Sequence, residues 1–279
     1  LSSFALLNIA FHPIYQLPLP VKHRFPMEKY DLLPRQLMHE GTCTPEDFFT
    51  PTALDRATIE RIHHSEYIDK LLALDLDKKE ARKIGFPLSK QLIDREIIIA
   101  GGTIQGALKA LEHGIAMNIA GGTHHAFKAH GEAFCLFNDQ AIAAQYLLDK
   151  ELVQNILIVD LDVHQGNGTA EIFESNSKVF TFSMHGEKNY PFHKEKSDLD
   201  IALEDGCSDE VFLNILEETL PKLIAQNQPD FIFYLCGVDV LETDKLGRLG
   251  MSIAGCKQRD TYVLAVSYTH LRAHETRHD

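Results

Sequence analysis

Two aspartates and a histidine alternate at the end of an apolar run, Ile156-Leu-Ile-Val-Asp160-Leu-Asp162-Val-His164. In an extended chain, alternation turns Asp160, Asp162 and His164 to one face and Leu161 and Val163 to the other. Buried carboxylates two residues apart repel and lose hydration, so such an arrangement persists where a cation or hydrogen-bond donors compensate it. A divalent metal meets that need. One carboxylate oxygen plus one imidazole nitrogen is part of a catalytic zinc set, which has three protein ligands and one open position. The competing reading is a solvated strand end at which Asp and His cap the next helix.

Gly121-Gly-Thr-His124-His125 forms a second polar cluster just after the apolar run Ala116 to Ala120. Adjacent histidines after a glycine turn sit in a loop where backbone can approach a ligand, and neutral imidazoles suit general acid–base work near pH 7. The other tandem pair, His63-His64, lies in the helical pattern Ala57 to Leu72 and reads as a surface pair. A third cluster, Gly237-Val-Asp239-Val-Leu-Glu-Thr-Asp244, follows the run Phe231 to Cys236, and Asp239 completes an Asp, His, Asp set. Asp244, in Thr-Asp-Lys before Gly247, reads as turn chemistry. Three oxygen or nitrogen ligands without a thiolate suit zinc and also Mn or Fe.

These residues need strands to present them. Near-continuous apolar runs at Ala116 to Ala120, Asn155 to Val163, Val179 to Met184 and Phe231 to Cys236 read as strands buried on both faces of a parallel sheet. Helical periodicity over Glu96 to His113, Gln140 to Lys150 and Asp209 to Gln226 supplies the cover. Ligands of such folds gather at the carboxyl ends of the strands, where the three clusters fall. The 279 residues carry 27 Lys+Arg against 40 Asp+Glu, a formal net charge of −13, which argues against nucleic-acid binding and is compatible with attracting cationic amines or lysine-rich peptides. Five widely spaced cysteines without a CxxC pair give neither a disulfide framework nor a thiolate zinc site, and suit a reducing cytoplasm. Phe4 to Phe11 is too short and lacks the basic flank of a signal peptide, and no run is long enough to span a membrane.

Taken together, GGTHHA, AFCLFND, VDLDVHQGNGT and GVDVLETDKLGRLGMS stand in an order that resembles the histone deacetylases and their bacterial relatives. The resemblance covers about residues 7 to 266, and HPIYQLPLPVKHRFPMEKY with HQGNGT looks closest to the class IV-like and bacterial branch. It implies a single-domain three-layer α/β/α arginase/deacetylase fold with a mainly parallel central sheet, and a zinc-dependent amide hydrolase acting on acyl-lysine or small acylated amines. Asp162, His164 and Asp239 match the family's zinc ligands. His124 and His125 match the tandem histidines beside the attacking water, the second being the general base and acid and the first its electrostatic partner. Asp160 matches the carboxylate behind the first histidine, whereas Asn167 stands where many members have a second Asp. A neutral amide orients His125 without stabilising its cation, which implies a lower pKa there. Phe134 matches one wall of the acyl-lysine channel and Tyr190 or Phe192 the other, with core packing as the alternative; Arg24 matches a basic residue near the internal product pocket, or is a lone surface Arg. Asp160 and Asp162, with backbone near Ser183 and Met184, resemble the family's potassium site.

One family element is absent from the sequence. No glycine-rich segment with its oxyanion-stabilising Tyr follows Met251, and both resemblance and apolar periodicity stop at residue 266. The expectation is therefore a catalytic domain over 1–266, cut before its last strands, with a non-native tail over 267–279 in which Tyr268 is a decoy; Leu1 in place of Met likewise reads as a fragment's start. Two other functions compete. An arginase-like ureohydrolase would carry D-x-D-x-x-D, which Val163-His164-Gln165 interrupts, and a non-catalytic acyl-amine binder would account for the missing tyrosine.

Overall fold

The computed structural model describes residues 7–275, with side chains through Thr269, and separates into two compact units, 1–146 and 147–279. In the first unit the strands β1 (Asn8–Ala10), β2 (Phe48–Phe49) and β3 (Ala116–Asn118) pair in parallel in the order β2-β1-β3. Around them in sequence run α1 (Lys29–His39), α2 (Arg56–Ile59), α3 (Ser65–Leu72), α4 (Lys78–Ile84) and α5 (Lys90–His113). Local chemistry sets these boundaries: Asp77 and Glu80 close a reciprocal capping box on α4, and Ser89 Oγ accepts from Leu92 N–H at the start of α5. Helix α6 (Asp139–Asp149) runs across the division between the units.

The second unit holds β4 (Ile156–Asp160), β5 (Val179–Gly186), β6 (Leu199–Leu203) and β7 (Phe231–Leu235), all parallel, in the order β6-β5-β4-β7. Strand β4 is flanked on both edges and its five residues are all buried, which is why it reads as an unbroken apolar run. Helices α7 (Asn167–Phe173), α8 (Asp209–Asn227) and α9 (Ile253–Glu275) complete this unit. Phe212, Leu216 and Leu220 of α8 join Leu157, Val159 and Phe182 of the sheet in one core with Met251 and Val263. The parallel α/β architecture expected from the sequence is present. Helix α9 continues without a break from the family-like stretch through residues 267–275, and 276–279 of the expected tail lie outside the described residues.

Two expectations need correction. The strand expected to reach Val163 ends at Asp160, because the carboxylates capture the next amides: Asp160 Oδ1 accepts from Asp162 N–H (3.1 Å) and Asp162 Oδ1 from His164 N–H (2.9 Å). The helical pattern Ala57 to Leu72 is interrupted at His63-His64, and His63 is 1 % exposed, not a surface residue.

Candidate metal centre and histidine loop

The extended turn after β4 and the loop after β7 bring Asp162, His164 and Asp239 together, with one ligand atom from each within 4.8 Å of the others. His164 Nδ1 lies 3.0 Å from Asp162 Oδ1 and 3.1 Å from Asp239 Oδ2, so the nitrogen faces both carboxylates. Burial disfavours an imidazolium here, but hydrogen bonds and charge from the two aspartates outweigh it and lift the ring to about 10. Burial, and then the Asp162 charge, hold the Asp239 carboxyl above its ordinary range. Two carboxylates sharing one cation remain short of positive charge, and three half-buried O, N, O donors at this spacing fit a divalent metal with a coordination position left open.

Both loops are anchored from below. Val163 N–H donates to Asp239 Oδ1 (3.1 Å), and Gly237 passes so close to Asp162 that a Cβ there would strike its carboxylate. Arg259 on α9 is fully buried and donates through Nη1 to the carbonyls of Leu161 (3.1 Å) and Gly237 (2.8 Å). Its Nε donates to Asp260 Oδ1 (2.9 Å), the charge of Nη2 lies 2.8 Å from the same oxygen, and the Tyr234 hydroxyl donates to that oxygen as well. Sequence reasoning missed Arg259; its one trace is the Arg259-Asp260 pair in the helical stretch 253–266.

Within the first unit, His124 and His125 lie side by side, 4.1 Å between ring centroids and each 4 % exposed. Their loop hangs on the Phe137-Asn138-Asp139 segment. Asp139 Oδ1 accepts from the N–H groups of Gly122 (3.1 Å) and Thr123 (2.8 Å), and Asp139 Oδ2 from Thr103 Oγ1 (2.6 Å). Gly121 is needed for this approach, since a Cβ there would sit 2.7 Å from Asp139 Oδ2. Asn138 Nδ2 donates to Ala126 C=O (3.3 Å), and His63 Nδ1 bonds Phe127 C=O (2.9 Å). Asn138 and Asp139 were visible in AFCLFND but carried no role in the sequence reading.

Phe134 rides on a turn in which both Ala133 (φ 43°) and Phe134 (φ 69°) are left-handed and Cys135 N–H closes back on Glu132 C=O (2.8 Å). Two non-glycine residues in that region are strained, a condition kept where surrounding bonds demand it. Tyr190 is half-buried with its ring 6.5 Å from that of His164, and Lys194 Nζ secures its loop on the carbonyls of Asn189 (2.7 Å) and Pro191 (2.6 Å). Phe192 is 85 % exposed. Arg24 is exposed, with its guanidinium 4.9 Å over the Phe134 ring, rather than in an internal pocket. Asp160 is buried and pairs in register with Ser183 and Leu235, and Asn167 is buried at the first position of α7. Asp244 is a turn residue, accepting from Leu246 and Gly247 N–H at 2.7 and 2.9 Å. Tyr268 is half exposed on α9.

An Asp, His, Asp donor set beyond the strand ends of a parallel α/β sheet is the equipment of a metal-dependent hydrolase. Residues 23–273 match the histone deacetylase domain, and the chain belongs to that family of amide-bond hydrolases. It is 46 % identical over 257 residues to an uncharacterized protein of Picosynechococcus, covering 92 % of this chain and 86 % of the relative. Identity to the acetoin utilization protein AcuC of Staphylococcus aureus is 28 % over 273 residues, or 89 % of this chain and 70 % of that one. Among solved structures, an HDAC homologue crystallised with SAHA superposes with a TM-score of 0.82 at 24 % identity, covering 94 % of this chain and 76 % of the other, so the deacetylase fold is shared.

Proposed function

We propose that this deacetylase removes acetyl or other acyl groups from lysine side chains or small acylated amines, using a divalent metal, zinc by preference, carried by Asp162, His164 and Asp239. The observation that supports this most directly is the convergence of those three donors within 4.8 Å in a chain of this family. When bound, the metal supplies a Lewis acid for the acyl carbonyl and an acidified water. His125 accepts the proton as the water oxygen attacks the acyl carbon. As the C–N bond breaks, the same imidazolium returns that proton to the amine, leaving a carboxylate and a free amine. His124, packed against His125, tunes its charge, with Asp160 and Asn167 as the orienting groups. Phe134, and separately Tyr190, are the aromatic residues that this reading assigns to the acyl-lysine stem. A cytoplasmic setting belongs to the same reading and is supported by five cysteines that are joined in no disulfide among the described residues.

Metal analysis combined with hydrolysis assays on acyl-lysine peptides and acetylated polyamines tests this. Stoichiometric metal, turnover, and loss of that turnover by at least about a hundredfold in His125→Ala are expected. Unchanged turnover in that variant, or urea release from a guanidino substrate, would overturn it.

A further inference from the structure

Charge around Phe134 runs opposite to that of the chain as a whole. Residues 20–30, 78–90 and 128–135 carry nine Lys or Arg against three Asp or Glu, whereas the full sequence has 27 against 40. The three segments are bonded into one rim. Ala133 and Phe134 N–H donate to the carbonyls of Lys83 (2.9 Å) and Ile84 (2.7 Å), and His23 Nε2 donates to Gly85 C=O (2.9 Å) while its Nδ1 accepts from Phe25 N–H (3.2 Å). Phe25, Phe86 and Phe134 pack on one another with ring centroids 5.0 to 5.1 Å apart, making an aromatic platform.

On that platform lies the Arg24 guanidinium, 4.9 Å over Phe134, exposed and with no carboxylate in ion-pair range among the described residues. Two of the nine are neutralised, Lys83 by Glu132 (2.8 Å) and Lys90 by Asp94 (2.6 Å), while Glu80 is taken by Lys70 (2.9 Å) and Glu28 sits at the start of α1. Exposed Lys22 and Arg82 add charge without a paired acid among the described residues. A guanidinium stacked by its face keeps its N–H edge free, and that edge matches a carboxylate bidentately. Lysine-rich tails and polyamines would meet like charge here, despite the acidic chain.

We propose that this rim selects acyl-lysine in a peptide whose flanking residues are acidic, with Arg24 as the specificity-determining residue. The inference rests on the reading of Phe134 as a wall of the substrate channel. The test compares three acetyl-lysine peptides, identical except for Glu, Ser or Arg on both sides of the lysine. Affinity is read by fluorescence anisotropy on the metal-loaded protein, and kcat/KM is read in parallel. The acidic peptide is expected to lead the basic one by about fivefold or more at low ionic strength, and the ratio should shrink in ~0.5 M salt. Arg24→Glu should invert the ratio, and Arg24→Lys, which keeps the charge but not the stacked bidentate edge, should lose part of it. Equal or inverted affinities in the unmodified protein overturn this inference while leaving the hydrolase reading intact. Acid-selective binding with no hydrolysis of any peptide overturns the hydrolase reading and leaves this one standing.

Discussion

His63 has both ring nitrogens committed. Nδ1–H donates to Phe127 C=O at 2.9 Å, and Nε2 accepts from Asn138 N–H at 3.0 Å, so the ring is neutral in one tautomer. A proton on Nε2 would face a donor, and burial pushes the pKa down to about 4. In the unfolded chain a histidine titrates near 6.5, so between those values only the unfolded state binds the proton. Stability contributed here is fully present above about pH 6.5 and is lost as pH falls toward 4, by about 3 kcal/mol in all. Urea unfolding at pH 7 and pH 4.5 should show that drop, and His63→Gln should flatten it while lowering stability at pH 7 by about 1–3 kcal/mol. Identical pH dependence in the two proteins would show that His63 is not the responsible group. Because His63 anchors the loop that follows His124 and His125, its protonation in the folded protein should also cost activity, but only as pH falls through about 4.

Arg259 does for two loops what His63 does for one. Its donors reach Leu161 C=O, one residue before Asp162, and Gly237 C=O, two before Asp239, so a helix across the core sets the spacing of the donor set. Arg259→Met keeps the length but leaves both carbonyls without this donor. It should weaken metal binding about tenfold or more, read by competition with a chromophoric chelator, with the far-UV spectrum unchanged. Arg259→Lys, able to serve one carbonyl, should fall between; wild-type affinity in both variants would reduce Arg259 to packing. Spacing along the chain showed the donors but not these supports. The alternation singled out Asp160, Asp162 and His164; of these Asp162 and His164 lie together with Asp239, on side-chain-to-amide turns rather than an extended strand. Apolar runs revealed β4, β5 and β7, whose burial makes them continuous, while β1, β2 and β6 are too short or too polar to announce themselves. Arg259, Asp139 and His63 act over separations of 98, 16 and 75 residues, which no local pattern encodes.

A formal net charge of −13 is tolerable when spread over a surface, but at the donor set two aspartates share a single imidazolium. The folded chain therefore carries a local repulsion that a divalent cation relieves and that the unfolded chain, with its donors apart, does not have. Metal binding should stabilise the whole fold by mass action, by about 4 kcal/mol when free metal exceeds its dissociation constant a thousandfold. For a chain of this size that corresponds to roughly 8 °C or more in Tm, at about 2–4 °C per kcal/mol. Chelation should remove that increment and added zinc should restore it, followed by calorimetry at fixed ionic strength so that screening of the remaining surface charge stays constant. Asp239→Asn removes one ligand and one of the repelling charges together, so its Tm should respond little to either chelator or zinc. A melting curve indifferent to metal in the unmodified protein, or a metal-dependent increment that survives in Asp239→Asn, would mean that these three residues are not the metal centre.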